Sequence, residues 1–119
     1  MDKKDRDFIE KINRDRKEAH RTFTQVGSKV YWAFLDLERV TFADGHLKKL
    51  YKELIALGIS VVVNCESCMD WHIQEALRAG ASVDQVLEAI GVGIEMGGGP
   101  ATVSSRFALK ALEYHKTIA

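Results

Sequence analysis

The stretch NCESCMDWH, residues 64–72, holds both cysteines of the chain and one of its four histidines. Cys65 and Cys68 are three residues apart, and His72 follows the second cysteine by four. If the segment is helical, these spacings place all three side chains on one face, close to the helix start. Free backbone N–H groups and the helix dipole favour a thiolate there, and an imidazole one turn away can take or return its proton.

Three kinds of chemistry fit this segment. A zinc site would need a fourth ligand besides Cys65, Cys68 and His72, supplied by Glu53, another histidine or a neighbouring subunit, because the chain has no second cysteine pair. Two buried thiols without a chemical role are the second alternative. A dithiol–disulfide redox pair is the third, and it is favoured because CxxC rarely arises by chance in a chain with only two cysteines. Covalent haem attachment would need histidine where Met69 stands.

Length and charge limit the partners. A chain of 119 residues predicts a single domain, 1–119, with one modest core. Seventeen basic residues balance seventeen acidic ones, so neither nucleic acid nor an anionic membrane is an expected partner. The longest uncharged run, residues 54–65, is shorter than the ~20 apolar residues of a membrane span. The expected compartment is the cytoplasm, where thiols are kept reduced and a disulfide would be reversible.

The elements that must position the cysteine segment are helical. Apolar residues recur at intervals of three and four, and Pro100 is the only proline. Residues 1–27 form a charged N-terminal helix whose apolar stripe is thin, and residues 28–40 form a second helix with Ser28 as its cap. The pattern predicts an all-α fold, a compact bundle of about six helices.

The helix before the cysteines is predicted from His46 to Val63. Its apolar positions follow helical spacing at Leu47, Leu50, Leu54, Leu57 and Val61. The run 55–63 is apolar nearly all round, so it is expected to be buried.

Two helices follow the cysteine helix. The cysteine helix itself is expected to end near Gly80, and Ser82 with Gln85 forms a capping-box pattern at the next start. That helix should point Val83, Val86, Leu87, Ile90 and Ile94 inward. The glycines of IGVGIEMGGG are typical of close helix packing and helix termination, since no strand or lysine makes them a phosphate loop. Pro100 suits the first turn of the last helix.

The segment KELIALGISVVVNCESCMDWHIQEALRAGAS resembles the carboxymuconolactone decarboxylase superfamily, in its alkylhydroperoxidase D-like branch. The shared pattern is Glu53, eleven residues, Cys65-x-x-Cys68, three residues and His72. The likeness extends over residues 41–115. It implies an all-α protein that assembles as a trimer or hexamer, with the CxxC helix near subunit interfaces.

The same resemblance implies an oxidoreductase, a thiol-dependent peroxidase or disulfide reductase. Cys68 would be the thiolate in a proton relay with His72 and Glu53, and Cys65 would close the disulfide and meet the reductant. The opposite assignment stays open, because Cys65 lies closer to the helix start, where the effect of the helix dipole is larger. A small peroxide or disulfide would be the substrate, and a thiol protein or small dithiol the reductant, with no cofactor besides the Cys65–Cys68 disulfide. Some members of the branch have histidine just before the second cysteine, where this chain has Ser67.

Two other functions stay open. Superfamily members without the cysteine pair decarboxylate lactones, for which His72 and Glu53 would transfer protons without thiol chemistry. A non-enzymatic, redox-responsive oligomeric module is the third hypothesis. Glu53 has a simpler role as well, an ion pair with Lys49.

The remaining features concern packing. His20, His46 and His115 are expected to be surface or packing residues. Apolar stripes on nearly every helix, with Trp32 among them, predict a homo-oligomer, because a small bundle cannot easily bury that much apolar surface alone.

Overall fold

The computed structural model describes residues 1–118, and in that range it contains six α-helices and no strand. The helices are α1 (Lys3–Gln25), α2 (Lys29–Phe42), α3 (Lys49–Val63), α4 (Glu66–Arg78), α5 (Val83–Gly97) and α6 (Gly99–Ile118). α3, α4, α5 and α6 pack on one another, α1 lies along α4 and α6, and α2 packs on α3. The prediction of an all-α bundle of about six helices is confirmed.

The core is formed by the facing sides of α3 to α6. Its fully buried large side chains include Leu57, Val61, Met69, Ile73 and Val86. Small residues on α6 let that helix approach closely, and Ala108 and Ala111 have no exposed surface. Burying each large apolar side chain stabilises the fold by roughly 1.5–3 kcal/mol.

The helix ends follow the predicted capping chemistry. The Ser28 hydroxyl accepts a hydrogen bond from the Tyr31 N–H, and Ser82 and Gln85 form a complete capping box. Gly80, with φ of +102°, follows the end of α4 in a conformation that favours glycine. Pro100 lies in the first turn of α6.

Glycine allows α3 and α5 to touch. A Cβ atom on Gly93 would lie 2.7 Å from the carbonyl oxygen of Gly58 and 3.0 Å from the Cβ of Val61. No side chain fits there, which is the close helix packing predicted for this glycine.

A tight turn joins α3 to the cysteine helix. Asn64, at the end of α3, adopts a left-handed conformation with φ of 56°, which asparagine tolerates better than most residues. The backbone N–H of Cys65 donates to the carbonyl oxygen of Ser60 at 3.1 Å, which closes the helix end. The chain reverses within these residues, so α4 returns along α3.

One helix boundary and several burial predictions were wrong. α3 begins at Lys49 rather than His46, because the Asp44 carboxylate accepts the Lys49 N–H at 2.7 Å. Leu47 therefore lies outside the helix, and it is exposed. Leu87 on α5 is exposed as well. Hydropathy identifies a face that prefers burial, but it does not say whether the same chain covers it.

The run 55–63, expected to be buried, is covered on one side only. Leu57 and Val61 are inaccessible, whereas Ile55 and Ile59 are 52% and 58% exposed. On α1 the buried residue is Ile9, which the predicted charged helix did not single out.

The fold offers no candidate for crossing a bilayer: each helix within residues 1–118 is too short or too polar to do so.

Candidate active site

The two cysteines form a disulfide at the start of α4. Cys65 is the cap residue, with extended backbone, and Cys68 is the third residue of the helix. Their Cα atoms are 5.2 Å apart. The Cys68 N–H donates to the Cys65 sulfur at 3.2 Å, so one of the free N–H groups of the helix start faces a sulfur atom. The predicted location at a helix start is confirmed.

The structure brings together the predicted Glu53 and His72. Glu53 on α3 is 1% exposed, and its Oε1 lies 2.7 Å from Nδ1 of His72 on α4. The ring of Phe42, at the end of α2, stacks on the imidazole with centroids 5.4 Å apart. His72 is therefore held on two sides, by a carboxylate and by an aromatic face. Its described hydrogen bonds include no sulfur atom.

Lys49 completes this group. Its Nζ donates to Oε2 of Glu53 at 2.6 Å and lies 3.5 Å from Oε1 of Glu75. Glu53 thus makes both of the predicted contacts at once, with Lys49 through Oε2 and with His72 through Oε1.

These contacts decide the charge of Glu53. Burial alone would raise the pKa of this carboxyl, but the hydrogen bonds from His72 and Lys49 and the positive charge of Lys49 outweigh it, so the pKa of Glu53 lies below its ordinary value. Burial would likewise lower the pKa of Lys49, and its contact with Glu53 reverses that effect and raises it. Glu53 is therefore a carboxylate near neutral pH and accepts hydrogen bonds on both of its oxygens.

A small cavity of about 330 Å³ lies beside this group. Glu53 and Lys49 line it together with Phe42, Trp71, Glu75 and Arg39. The cavity borders the buried Glu53 side chain, and neither His72 nor a cysteine is among its lining residues. Within residues 1–118, no three or more histidine, cysteine, aspartate or glutamate side chains are grouped so that they could hold a metal ion.

A second carboxylate–histidine pair was not predicted from the sequence. Asp70 on α4 is fully buried, and its Oδ1 lies 2.7 Å from Nε2 of His115 on α6. Arg16 on α1 donates to the other oxygen at 3.3 Å. His115 was expected to be a surface or packing residue, and it is buried. Because its partner is 45 residues away, no local spacing could have revealed the pair.

The site residues that were predicted fall inside a known family pattern. Residues 28–111 match the carboxymuconolactone decarboxylase family. The match includes Glu53, both cysteines and His72, and it covers well over half of the chain. The chain belongs to the carboxymuconolactone decarboxylase family.

Individual relatives agree with this membership. "Uncharacterized protein 4 in cox locus" of Paracoccus denitrificans is 40% identical over 90 residues, which cover 76% of this chain and 81% of the relative. An uncharacterized protein of Cupriavidus necator is 39% identical over 82 residues, 69% of this chain and 70% of its own.

Solved structures share the fold over nearly the whole chain. The apo form of a carboxymuconolactone decarboxylase family protein from Legionella pneumophila superposes with a TM-score of 0.81 at 30% identity, covering 93% of this chain and 96% of that one. A family member from Thermotoga maritima, for which an involvement in antioxidative response has been suggested, superposes with a TM-score of 0.82 at 26% identity, covering 91% and 92%. These coverages are too high to leave α1 out, so both solved structures share at least part of this helix, although the family match begins after it.

Proposed function

We propose that this carboxymuconolactone decarboxylase family protein is a thiol-dependent oxidoreductase, a peroxidase or disulfide reductase, in which Cys65 and Cys68 cycle between dithiol and disulfide. The observation that carries the proposal is the disulfide at the start of α4, on the same helix as a histidine paired with a buried glutamate. A helix start stabilises a thiolate, and the Glu53–His72 pair supplies a proton acceptor one turn further on.

The chemistry requires no group beyond the cysteines and an external dithiol. The Cys68 thiolate attacks one oxygen of the peroxide bond, the alkoxide leaves and takes up a proton as an alcohol, and Cys68 becomes a sulfenic acid. The Cys65 sulfur then attacks Cys68, which releases water and forms the disulfide. A small dithiol or a thiol protein reduces the disulfide by exchange and is itself oxidised to a disulfide.

The roles of the individual residues follow from position and family resemblance. Cys68 is one helical turn before His72, so it is the cysteine that can exchange a proton with that imidazole. Cys65, which caps α4 directly before its first residue, is the partner that closes the disulfide and meets the reductant. Glu53, a carboxylate held by Lys49, orients the His72 ring through its contact with Nδ1. A reducing compartment such as the cytoplasm suits this cycle.

The test is dithiothreitol-dependent consumption of an organic hydroperoxide by the purified chain and by Cys65→Ser and Cys68→Ser variants. We expect turnover by the wild type and none above background in Cys68→Ser, which lacks the attacking thiolate. Cys65→Ser should turn over more slowly, because dithiothreitol must then reduce the Cys68 sulfenic acid directly. The exposed His46→Asn variant is the control and should match the wild type. Equal turnover by the Cys65→Ser/Cys68→Ser double variant would reject thiol chemistry.

The same cysteine variants distinguish the alternative function, lactone decarboxylation, from thiol chemistry. It would use Glu53 and His72 for proton transfer and would survive loss of both sulfurs. Turnover of a carboxylated lactone by the Cys65→Ser/Cys68→Ser double variant would favour it. A non-enzymatic redox module would turn over neither substrate, yet it would still form and lose the disulfide.

We further propose that the protein is a homo-oligomer, a trimer or hexamer by family resemblance. Two apolar surfaces of one chain support this. No residue of α2 is buried, and its side chains Val30, Phe34, Leu37 and Val40 are each at least 58% exposed. Between α3 and α5 lies an open groove of about 710 Å³, lined by apolar side chains that include Ile55, Ile59, Val62, Val92 and Met96. Apolar surface of this extent is typical of subunit contacts.

Light scattering coupled to size exclusion tests the assembly. We expect a mass of three or six times 13.4 kDa at micromolar concentration. The Ile59→Lys variant should lower that mass, because it places a charge in the groove. The control Leu109→Lys, half exposed on α6 and outside the groove, should leave the mass unchanged. A monomeric wild type would overturn the proposal.

A further inference from the structure

Arg16, on the charged helix α1, contacts Ser67, one of the two residues between the cysteines. Its Nη2 lies 3.1 Å from the carbonyl oxygen of Ser67, 3.2 Å from the Ser67 hydroxyl and 3.3 Å from Oδ2 of Asp70. The guanidinium also lies over the Trp71 ring, 5.1 Å from its centroid. One cation from outside the family match thus contacts the first two turns of the cysteine helix.

The guanidinium is held in place from its own helix. Its Nη1 donates to Oδ1 of Asn13 at 3.0 Å, and the Asn13 amide donates to the carbonyl oxygen of Ile9 at 2.9 Å. Ile9 is the α1 side chain buried in the core. The Arg16 side chain is only 27% exposed, so its charge is less screened by solvent than that of a surface arginine.

Asp70 gives this contact an electrostatic consequence. Its carboxyl group has no exposed surface and lies on α4 two residues after Cys68. His115 binds one of its oxygens and Arg16 the other. Because Asp70 is two residues from Cys68, the negative charge of an aspartate left without Arg16 would disfavour a thiolate at the cysteine pair.

The two redox states of the cysteine pair respond differently to this charge. The disulfide is uncharged, whereas the reduced pair carries a negative charge once a thiol ionises. A fixed cation near the pair stabilises the thiolate and leaves the disulfide nearly unaffected, so it favours the reduced state.

We propose that Arg16 is a positioning residue for the redox pair: it fixes the Cys65–Cys68 turn through Ser67 and neutralises Asp70, so that the reduced pair ionises more readily and the disulfide is easier to reduce. The proposal rests on the proposed function only in requiring that the pair cycles. When the pair is reduced, two electrons and two protons come from a small dithiol, which becomes a disulfide.

The experiment compares Arg16→Gln, Arg16→Lys and the control Arg14→Gln, an exposed arginine on the same helix. The apparent thiol pKa is measured from the pH dependence of alkylation of the reduced protein. The dithiol–disulfide equilibrium is measured in dithiothreitol buffers, and circular dichroism checks the fold. We expect Arg16→Gln to raise the thiol pKa by about half a unit to one unit and to shift the equilibrium toward the disulfide by about 3- to 10-fold. Arg14→Gln should match the wild type.

Two variants separate charge from structure. Arg16→Lys keeps the charge and loses the forked contacts, so its pKa should lie between those of the wild type and Arg16→Gln. Adding Asp70→Asn to Arg16→Gln removes the unpaired carboxylate, and it should return the thiol pKa toward the wild-type value. A lower melting temperature in Arg16→Gln with unchanged thiol pKa and equilibrium would overturn the proposal and leave Arg16 a structural role.

Neither readout requires peroxide turnover, so the two proposals fail separately. A wild type that cycles between dithiol and disulfide, shows the Arg16 effects and consumes no peroxide contradicts the peroxidase function alone. A wild-type pair that cannot be reduced and reoxidised contradicts both.

Discussion

Two carboxylate–histidine pairs involve side chains of α4. Their contact distances are the same, but the two pairs differ in how exposed they are. Glu53–His72 joins α3 to α4, Asp70–His115 joins α4 to α6, and in each a carboxylate oxygen lies 2.7 Å from a ring nitrogen. The His72 side chain is 15% exposed and its partner Glu53 borders a cavity, whereas the His115 side chain is 4% exposed. The same two side-chain types therefore lie partly open to solvent at one place and sealed between helices at the other.

The cation of each pair sharpens the difference. Lys49 reaches Glu53 from the same helix, and its side chain is 38% exposed. Arg16 reaches Asp70 from α1 and connects an element outside the family match to the core. We infer that the first pair serves chemistry and the second serves stability and the setting of the cysteine helix.

The largest expected effect is the loss of stability when Asp70–His115, the inner pair, is broken. Asp70→Ala leaves His115 and Arg16 without their buried partner and should lower the free energy of unfolding by about 3–5 kcal/mol, as breaking a buried charge pair does. Urea denaturation measures this. The control Asp36→Ala removes an exposed i, i+3 pair with Arg39 and should change stability by at most about 0.5 kcal/mol. Equal losses in the two variants would contradict a structural role for Asp70.

The next effect is on turnover and concerns Glu53–His72, the outer pair. His72→Asn and Glu53→Gln should each reduce dithiol-dependent peroxide consumption by roughly 100-fold, since general acid–base groups contribute at least that much. His115→Asn serves as the matched control. Assayed well below its melting temperature, it should stay within a fewfold of the wild type. If His115→Asn loses as much turnover as His72→Asn, the division of roles between the pairs is wrong.

A smaller effect appears in the pH dependence of stability. The pKa of Glu53 is lower in the folded protein, so its ionised form contributes stability that is fully present above the unfolded pKa of about 4.3 and is lost as the pH falls through the folded pKa. Glu53→Gln lacks this contribution. We expect the stability difference between wild type and Glu53→Gln to shrink from pH 6 to pH 3 in urea denaturation. A difference that is constant or grows toward low pH would contradict the carboxylate assignment.

Local patterns predicted most of what is local in this fold. The capping box of Ser82 and Gln85, the glycine after α4 and the helical reading of residues 55–63 each depend on neighbours in sequence, and the structure contains all three. The Glu53–His72 contact was predicted through a family pattern with a fixed interval, which the tight α3–α4 turn converts into proximity.

What the sequence did not reveal depends on contacts between distant segments. The contact of Arg16 with Ser67 spans 51 residues, and that of Asp70 with His115 spans 45. No hydrophobic periodicity and no sequence motif indicates either contact. The exposure of Ile55, Ile59 and Leu87 is another such case, because hydropathy does not distinguish a core face from a face that another subunit covers.

The central claim is that the outer pair acts on the Cys68 thiol, and the pH dependence of alkylation in single-cysteine proteins tests it most directly. Cys65→Ser retains Cys68 and Cys68→Ser retains Cys65, and each is measured alone and with Glu53→Gln or His72→Asn. We predict the lower apparent thiol pKa in the protein that retains Cys68, rising by about one unit when either Glu53 or His72 is changed. A lower pKa in the protein that retains Cys65, unchanged by both substitutions, would contradict the claim.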